Sequence, residues 1–421
     1  MRRHEPKTIA LATLGTWGDL QPFVHLAAGL RQAGHRVRIL TQPEHTEQVH
    51  AECGVTIDPI TSPIDPALVE QLHRRVIEDR NPLGQLLTIF KYLCARDASL
   101  QRSASHQALA DCDLVVAHAT AMVSQEAARA QGLPVLGVAL APGILRHPGH
   151  PPMDLPDLGT ANRILWHLVT RLGDHALGIR MRRLIPSVAG HHLQRTSDCF
   201  GTHGVLVAAS PALAPGVRHR AFAWTGHWHR PPDTTQTLPT QVQHFLQAGP
   251  PPLYVGFGSM EPGGGHALGA LCAAAARQAG VRLILQRGWA DLQASGDDIC
   301  VVDHLPHDLL LPHCLALVHH CGAGTTHAAA RSGRPSIPVP FLADQPYWAA
   351  CLRRRCAATA PIPRTRLTSQ RLAAAITRCQ HDQHLRTGAA QLATACATHN
   401  GIHHAVRIIE AVAERHREQK R

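Results

Sequence analysis

Short apolar runs of strand length alternate with stretches of helical periodicity along the chain, in two separate series. In the first series, strand-like runs at 8–12 and 36–40 flank an amphipathic stretch over 23–30. In the second, runs at 253–258 and 282–286 follow the same pattern. Strands separated by a helix lie parallel in one sheet, with helices on its faces. The sequence therefore predicts an α/β chain built from two doubly wound parallel sheets.

A polar connector rich in proline divides the two series. It is bracketed by Pro231-Pro232 and by the run Gly249-Pro250-Pro251-Pro252, a composition typical of segments that few contacts cross. The 421 residues also exceed the roughly 250 to 300 that one core usually holds. We predict an N-terminal domain over 1–230, a linker over 231–252, a C-terminal domain over 253–398 and a C-terminal helix over 399–421.

Composition argues against several classes of protein. The sequence has neither an apolar stretch of about 18 residues nor a signal-peptide pattern, so we expect a soluble, cytoplasmic protein. The 12 cysteines are scattered, and none of the 32 histidines pairs with them at zinc spacing, so we expect reduced thiols and neither metal nor cofactor. The net charge of +11 comes with only 4% aromatic residues, which argues against nucleic acid. The charge suits an anionic donor or an acidic membrane surface.

The segment 315–331 combines a buried strand, a turn of small residues and a helix start. The start of a helix presents unpaired N–H groups and about half a positive charge, which together hold phosphate groups. Glycines in such a turn let the backbone approach its ligand closely. We expect a diphosphate to contact five residues of this turn and helix start: His320, Gly322, Gly324, Thr325 and Thr326.

Two polar side chains follow the next predicted strand, 336–339. Because ligands bind at the carboxyl ends of parallel strands, Asp344 and Gln345 should lie near the diphosphate. A carboxylate and a carboxamide at this edge can exchange hydrogen bonds with sugar hydroxyls. The whole segment therefore predicts a nucleotide-sugar site, and glycosyl transfer as its chemistry.

A loop directly after the first strand offers a general base. Residues 15–22, Gly-Thr-Trp-Gly-Asp-Leu-Gln-Pro, lead from that strand into the first helix, so Asp19 should lie at the carboxyl edge of the sheet. A carboxylate within hydrogen-bond reach takes the proton of an acceptor hydroxyl as the new bond forms. Asp19 also suits a helix N-cap, and both roles can hold together.

Three motifs together resemble the family-1 glycosyltransferases. They are the His-x-Gly-x-Gly-Thr turn at 320–325, the Asp344-Gln345 pair at the family's spacing, and Gly-x-x-Gly-Asp-x-x-Pro at 15–22. The resemblance implies a GT-B fold, in which two Rossmann-like domains face a cleft, over nearly the whole chain. It also implies an inverting, metal-independent reaction with Asp19 as base. The likeness is closest to the branch of bacterial antibiotic and sterol glucosyltransferases.

The resemblance assigns further positions to the donor. A serine after the strand at 253–258 falls on a diphosphate contact, and an Arg-Gly-Trp at 287–289 matches the antibiotic enzymes. That arginine would neutralise the leaving nucleotide or form a salt bridge at the rim. The segment 304–307, His-Leu-Pro-His, occupies the position of the Trp-Ala-Pro-Gln segment that holds base and ribose in plant enzymes. The first and last residues of the segment differ between the two. The donor contacts implied in this way are Thr16, Gly18, Ser259, Arg287, His304, Leu305 and His307.

His118 is a second catalytic candidate. It ends the strand at 113–117, where plant relatives carry an aspartate that orients their catalytic histidine. The order is reversed here, so a contact with Asp19 would tune the basicity of the carboxylate. A histidine simply hydrogen-bonded at a strand end is the alternative. Asp111 and Asp113 match a metal motif of other glycosyltransferases, but Asp113 begins an apolar strand and we expect no metal there.

The acceptor half is marked by a helical stretch over 164–183. Its apolar positions recur at helical spacing beside several arginines, as in a basic amphipathic helix that touches a lipidic acceptor or a membrane surface. Packing of this helix against its own domain is the alternative. The apolar positions are Ile164, Leu165, Leu168, Leu172 and Ala176, and the arginines are Arg163, Arg171, Arg180, Arg182 and Arg183.

These observations predict transfer of a hexose, glucose from UDP-glucose, to a hydroxyl of a hydrophobic small molecule or lipid. One alternative is a dTDP-deoxysugar transferase that decorates a polyketide or peptide antibiotic. The other is an auxiliary protein that binds the donor without catalysis. The expected partners are the sugar donor, a hydroxylated hydrophobic acceptor and, at the periphery, the inner face of the membrane, with no nucleic acid.

Overall fold

The computed structural model describes residues 5–79, 84–85, 88–89, 91–147, 149–152, 155, 157–184, 200–214, 221–231, 235–258, 260, 264–289 and 291–420. Within them the chain forms two fully parallel sheets, one in each half. Alternate residues of the first strand face two different cores: Ile9 and Leu11 contribute to one, Ala10 and Ala12 to the other. The predicted α/β fold of two doubly wound sheets is therefore confirmed.

The N-terminal sheet contains β1 (Thr8–Ala12), β2 (Arg36–Thr41), β3 (Ile57–Pro59), β4 (Leu114–His118), β5 (Val135–Ala139), β6 (Val205–Val207) and β7 (Phe222–Trp224). Their spatial order is β3-β2-β1-β4-β5-β6-β7. The C-terminal sheet contains β8 (Leu253–Gly256), β9 (Leu283–Gln286), β10 (Ile299–Val302), β11 (Ala316–His319) and β12 (Ser336–Pro338), in the order β10-β9-β8-β11-β12.

The helices of the first half are α1 (Trp17–Gln32), α2 (Thr46–Cys53), α3 (Pro66–Glu78), α4 (Ala98–Ala108), α5 (Met122–Ala130) and α6 (Asn162–Leu184). Those after β7 are α7 (Thr240–Gln247), α8 (Gly265–Gln278), α9 (His307–Leu310), α10 (Ala323–Ser332), α11 (Gln345–Arg354), α12 (Ser369–His381), α13 (Gln383–Ala397) and α14 (Gly401–Lys420). Across the described ranges, none of these helices combines the length and apolarity needed to cross a membrane.

Each sheet has one switch point, where the order of its strands reverses, and the predicted loops lie at these two switch points. In the N-terminal sheet β1 lies between β2 and β4, and in the C-terminal sheet β8 lies between β9 and β11. Ligands of open parallel sheets bind outside the carboxyl ends of the strands at such switch points. Asp19 follows β1, and His118 is the last residue of β4. The loops after β8 and β11 carry the predicted phosphate contacts.

The C-terminal helix α14 packs on the N-terminal half of the chain. Ala405 and Ile409 belong to the same core as Leu26 and Leu30 of α1. The two helices approach so closely that a Cβ added at Gly29 would lie 2.2 Å from Cγ2 of Ile402. His35 joins them further, since its Nε2 lies 3.1 Å from the Glu410 carboxylate. The segment predicted as a separate C-terminal helix thus completes a core of the first domain.

A third core joins the two halves. Ala139 of β5 and Val207 of β6 pack in one cluster with Ala330 of α10, Trp348 of α11 and Leu392 of α13. Helices α10, α11 and α13 of the second half therefore contact strands β5 and β6 of the first sheet directly. This packing connects the N-terminal sheet with the helices that follow β11 and β12.

Candidate functional site

The loop after β1 is held together by Asp19 itself. Thr16 is the N-cap of α1 and Asp19 occupies its third position, where it forms a capping box. Its Oδ2 accepts the Thr16 N–H at 2.9 Å and the Thr16 hydroxyl at 3.2 Å. Gly15 has φ +146°, and a Cβ there would lie 2.3 Å from this oxygen. Asp19 thus shapes its own loop, although the N-cap is Thr16.

The second carboxylate oxygen of Asp19 is available for chemistry. Asp19 is half-buried, and Oδ1 receives no hydrogen bond from the part of the chain that the structure describes. One oxygen is therefore fixed by the loop while the other keeps a lone pair for a ligand hydroxyl. The neighbouring Gly18 is exposed and Thr16 is half-buried, so both proposed donor contacts are accessible to solvent.

His118 lies at the end of β4 beside this loop. Its Nδ1 is 2.9 Å from the Thr120 hydroxyl, which donates to the Leu14 carbonyl at 2.7 Å. Burial lowers the pKa of His118, while the charge of Asp19 opposes that shift. The two side chains are thus within electrostatic range, and the strand-end hydrogen bond considered from sequence is also present. Thr120 was not predicted, because its role depends on the β1–β4 pairing.

In the second half, α10 begins two residues earlier than the sequence pattern indicated. Gly322 is the N-cap, and the Thr326 N–H makes the first helical bond, to the Gly322 carbonyl at 2.9 Å. The unpaired N–H groups at this end belong to residues 323–325, which include Gly324 and Thr325. Thr326 is fully buried, so the structure places this predicted contact behind the helix start rather than at it.

His320 lies against the helix start, between two glycines. A Cβ at Gly322 would lie 2.5 Å from its Nε2, and one at Gly258, where φ is +60°, would lie 3.1 Å from its Cε1. The ring therefore fits only because both neighbours lack side chains. Burial, together with the nearby His307, lowers the pKa of His320 to about 4. A neutral imidazole at pH 7 can donate a hydrogen bond to a phosphate, but it adds no positive charge.

Asp344 is the N-cap and Gln345 the first residue of α11, which follows β12 after a short loop, and their side chains differ in role. The Gln345 carboxamide oxygen accepts the N–H groups of Phe341 and Leu342 at 2.7 and 3.1 Å, and the side chain is 4% exposed. Gln345 therefore builds the turn. Asp344 stays half-buried at the surface of the site, and its Oδ2 accepts the Trp348 indole N–H at 2.8 Å.

The predicted nucleotide contacts are spread over one edge of the C-terminal sheet. His304 is exposed, whereas Leu305 is buried. His307 turns its Nε2 to the Tyr254 hydroxyl at 3.0 Å, and burial lowers its pKa to about 4. Arg287 Nε lies 3.6 Å from Asp303 Oδ1, which is the ion pair at the rim considered as its alternative. Ser259 lies outside the described residues.

Among the described residues, no group of three or more His, Cys, Asp or Glu side chains is arranged to hold a metal ion. The two aspartates that match a metal motif have structural partners. Asp113 accepts the Thr8 N–H at 2.8 Å and so aligns β1 with β4, and Asp111 lies 3.5 Å from Arg38.

A stack of histidines, not predicted from the sequence, crosses between the two halves. The rings of His227 and His327 lie 4.1 Å apart and nearly parallel. His327 accepts the Ser210 N–H of the first half at 3.0 Å through Nε2, while Nδ1 donates to the Ala323 carbonyl. Arg331 of α10 donates to His227 at 3.1 Å and pairs with Asp308. Helix α10 is thereby bonded to the N-terminal half of the chain.

Two family models match the chain. The "Glycosyltransferase family 28 N-terminal domain" matches residues 9–123, and the "Erythromycin biosynthesis protein CIII-like, C-terminal domain" matches 273–412. The two matches cover one switch point each, the loops of Asp19 and His118 in the first and the start of α10 in the second.

Curated relatives include glucosyltransferases of two kinds. The vancomycin aglycone glucosyltransferase of Amycolatopsis orientalis is 33% identical over 389 residues, which cover 88% of this chain and 90% of the relative. A sterol 3-beta-glucosyltransferase of Arabidopsis thaliana is 25% identical over 428 residues, covering 96% of this chain and 65% of the plant protein.

Solved structures agree in fold. The glycosyltransferase of kitacinnamycin superposes with a TM-score of 0.70 at 20% identity over 97% of this chain and 99% of that one. Glycosyltransferase VinC, solved in complex with dTDP, has a TM-score of 0.69 at 22% identity over 97% and 100%. With two parallel sheets, family models in both halves and a relative of 33% identity over most of its length, the chain belongs to the family-1 glycosyltransferases of GT-B fold.

Proposed function

We propose that this glycosyltransferase moves glucose from UDP-glucose to a hydroxyl of a hydrophobic acceptor, with inversion at C1 and without a metal ion. The observation that carries the proposal is the pairing of two switch points. One holds a carboxylate with an oxygen open to a ligand, and the other holds a helix start with unpaired N–H groups. A base opposite an anion site is what direct displacement of a nucleoside diphosphate requires.

The reaction follows from this arrangement. The acceptor hydroxyl donates to Asp19, which takes its proton as the oxygen forms a bond to C1 of the sugar. The bond from C1 to the diphosphate oxygen breaks on the opposite face, so the configuration inverts. The leaving charge is received by the N–H groups of residues 323–325 and by the neutral His320. His118 contacts Thr120, whose hydroxyl bonds to Leu14 in the loop that leads to Asp19, and so acts as a positioning residue.

Sugar recognition is proposed for Asp344. Its carboxylate borders the site, and its bond to the buried indole of Trp348 fixes its orientation. Gln345 supports this turn through its oxygen, so its contribution to the sugar is indirect. Glucose is favoured because the relatives named above are a vancomycin aglycone glucosyltransferase and a sterol 3-beta-glucosyltransferase.

A dTDP-deoxysugar donor is the second candidate, and the dTDP complex of VinC supports it. His304, Leu305 and His307 lie where base recognition is proposed, and their chemistry suits uracil and thymine alike. The auxiliary-protein alternative is opposed by the open Asp19 oxygen, because a protein that only binds a donor has no use for a base.

A donor panel tests these candidates. The pure protein is incubated with UDP-glucose, dTDP-glucose and a dTDP-deoxysugar, each with sterol, flavonoid and macrolide acceptors, and products are read by mass spectrometry. We expect glucosides with UDP-glucose, absent with Asp19→Asn. Turnover of the deoxysugar donor alone would favour the second candidate. Donor binding by calorimetry without hydrolysis or transfer would favour the auxiliary protein.

A further inference from the structure

Helix α6 has two faces of opposite character. Trp166 is 7% exposed and donates its indole N–H to the His150 carbonyl at 2.8 Å, so this face packs on the domain. On the other face Ile164, Leu168 and Leu172 are 64%, 52% and 68% exposed. Their i, i+4, i+8 spacing aligns them in a single row, which we call the apolar stripe. Packing against the domain therefore accounts for one face of this helix and leaves the apolar stripe in solvent.

Basic residues run beside the apolar stripe. Arg163, His167, Arg171 and His175 are exposed and also recur every four residues. Arg163, His167 and Arg171 each immediately precede a member of the apolar stripe, so the two rows lie side by side on the helix surface. We call these four residues the basic row. Asp174, the acidic residue of these turns, is half-buried. The side chains of 176–184, including three of the predicted arginines, lie outside the described residues.

The pairing of the two rows identifies the chemistry of an occupant. The apolar stripe needs a hydrophobic environment, and the charged guanidinium groups of Arg163 and Arg171 alongside it need anions at the boundary of that environment. The surface of an anionic bilayer offers both, acyl chains below a layer of negative headgroups. The chain-wide charge of +11 has the same sign and would draw the protein toward such a surface. Because one side of α6 packs on its own domain and the other carries the apolar stripe and the basic row, α6 would lie in the plane of the interface.

The inner face of α6 connects with the sugar side of the site. The ring of His150, which Trp166 contacts, lies 5.7 Å from that of Tyr347 in α11. Tyr347 follows Gln345 by two residues, and a Cβ at Gly143 of the first half would lie 2.8 Å from its ring. The apolar stripe thus lies on the outer side of a helix whose inner side is linked through His150 to α11, the helix that begins at the proposed sugar contact.

We propose that the apolar stripe and the basic row dock this enzyme on the surface of an anionic lipid bilayer, from which it takes its acceptor. The second half of this statement rests on the proposed transfer to a hydrophobic acceptor. The docking does not, because it can be measured without donor or acceptor. Failure of docking and failure of the proposed reaction are therefore distinguishable.

Vesicle sedimentation tests the docking. The full chain is mixed with vesicles of phosphatidylcholine alone or of phosphatidylcholine with phosphatidylglycerol in equal parts, at low salt. We expect binding to the anionic vesicles, and a several-fold loss in about 0.5 M salt, where screening shortens the reach of surface charges to roughly 4 Å. Leu168→Glu, and separately Arg163→Glu with Arg171→Glu, should each weaken binding at least about tenfold.

Matched controls separate docking from general surface effects. Leu100 is 42% exposed on α4 and Arg75 is exposed on α3, so Leu100→Ser and Arg75→Glu make similar changes elsewhere. Both should bind vesicles as the parent does. All variants should keep the parent Tm and the parent rate with a water-soluble acceptor, because the altered side chains lie in solvent.

Several outcomes would overturn the proposal. They are equal binding to neutral and anionic vesicles, no binding to either, and undiminished binding of the Leu168→Glu chain. A dimer by light scattering that Leu168→Glu converts to monomer would assign the apolar stripe to a second copy of the chain instead. If the parent protein transferred no sugar to the water-soluble acceptor, the proposed reaction would be wrong. The vesicle measurements would still decide whether the protein docks on a bilayer.

Discussion

One carboxylate oxygen of Asp19 has a structural task, and we propose a chemical task for the other. Oδ2 accepts two hydrogen bonds from Thr16, and Oδ1 is left for a ligand. An asparagine can keep the first task, because its amide oxygen still accepts from the Thr16 N–H. It cannot take a proton. The structure therefore allows a substitution that removes the proposed base and preserves the start of α1.

The first prediction uses this separation. Asp19→Asn should lower the transfer rate at least about 100-fold, the usual minimum for a general base, while the affinity for UDP changes only a few-fold. Asp19→Ala, which also loses the capping box, should in addition lose about 1 kcal/mol of stability. Rates, calorimetry and urea unfolding measure the three quantities. Retention of activity within about tenfold in the asparagine variant would remove Asp19 from the mechanism.

A second prediction separates sugar from nucleotide recognition. Asp344→Ala should impair turnover of the sugar nucleotide, since a charge-assisted hydrogen bond is worth roughly 1.5 to 3 kcal/mol, and should barely change the affinity for free UDP. Asp344→Asn is the matched variant, because its amide oxygen can still accept from the Trp348 indole. His320→Ala, which removes a proposed phosphate contact, should weaken UDP and the sugar nucleotide alike. Calorimetry that showed Asp344→Ala losing UDP itself would contradict the assignment.

At the scale of elements, we propose that the helix start of α10 takes the place of a cation. Its N–H groups at 323–325 and the adjacent neutral His320 are the proposed receptors of the diphosphate charge. The third prediction is that excess EDTA leaves the initial rate unchanged and that added magnesium or manganese does not raise it. Strict dependence on either ion would return Asp111 and Asp113 to consideration, despite their bonds to Arg38 and Thr8.

The contact between α1 and α14 supports a fourth prediction. Gly29→Ala normally improves a helix by up to about 1 kcal/mol, but here the new methyl group would collide with Ile402. Overpacking of this kind costs about 1 to 3 kcal/mol, so the variant should be less stable. Ile402→Ala makes room, and adding Gly29→Ala to it should then be neutral or stabilising. Urea unfolding of the four chains measures this; additive effects would contradict the close packing.

Local patterns were enough to predict much of both switch points. The strand before Asp19, the small-residue turn before α10 and the two parallel sheets follow from periodicity over a few residues. What the sequence did not predict depends on distant partners. The sequence does not reveal that the carboxamide oxygen of Gln345 accepts the N–H groups of Phe341 and Leu342. Thr120 matters only because β4 pairs with β1. The packing of α14 on α1 joins residues about 370 positions apart, which periodicity cannot reveal.

At the scale of the whole molecule, buried histidines occupy the junction between the halves. His227 and His327 stack there, faced by Arg331 and Asp308 from the second half and, through His229, by His25 of α1. Burial lowers the pKa of His327 to about 3 and that of His227 well below its usual value. A proton on either ring would place a positive charge against Arg331 and break the bond from Ser210 or from Arg331 itself.

The last prediction concerns pH. In the unfolded chain these histidines titrate near 6.5, and in the folded chain His327 titrates near 3, so the unfolded state binds more protons between these values. Stability should therefore be complete above about pH 7 and fall as the pH drops below 6.5, by up to about 1.4 kcal/mol per pH unit for each such histidine. Urea unfolding at a series of pH values measures the slope of the free energy of unfolding against pH.

The control variant is His327→Gln, which keeps an acceptor for the Ser210 N–H but does not titrate. Its slope between pH 6 and 5 should therefore be smaller by about one proton. An unchanged slope in that variant would mean that the stacked pair does not resist protonation, and that the junction between the domains tolerates the charge.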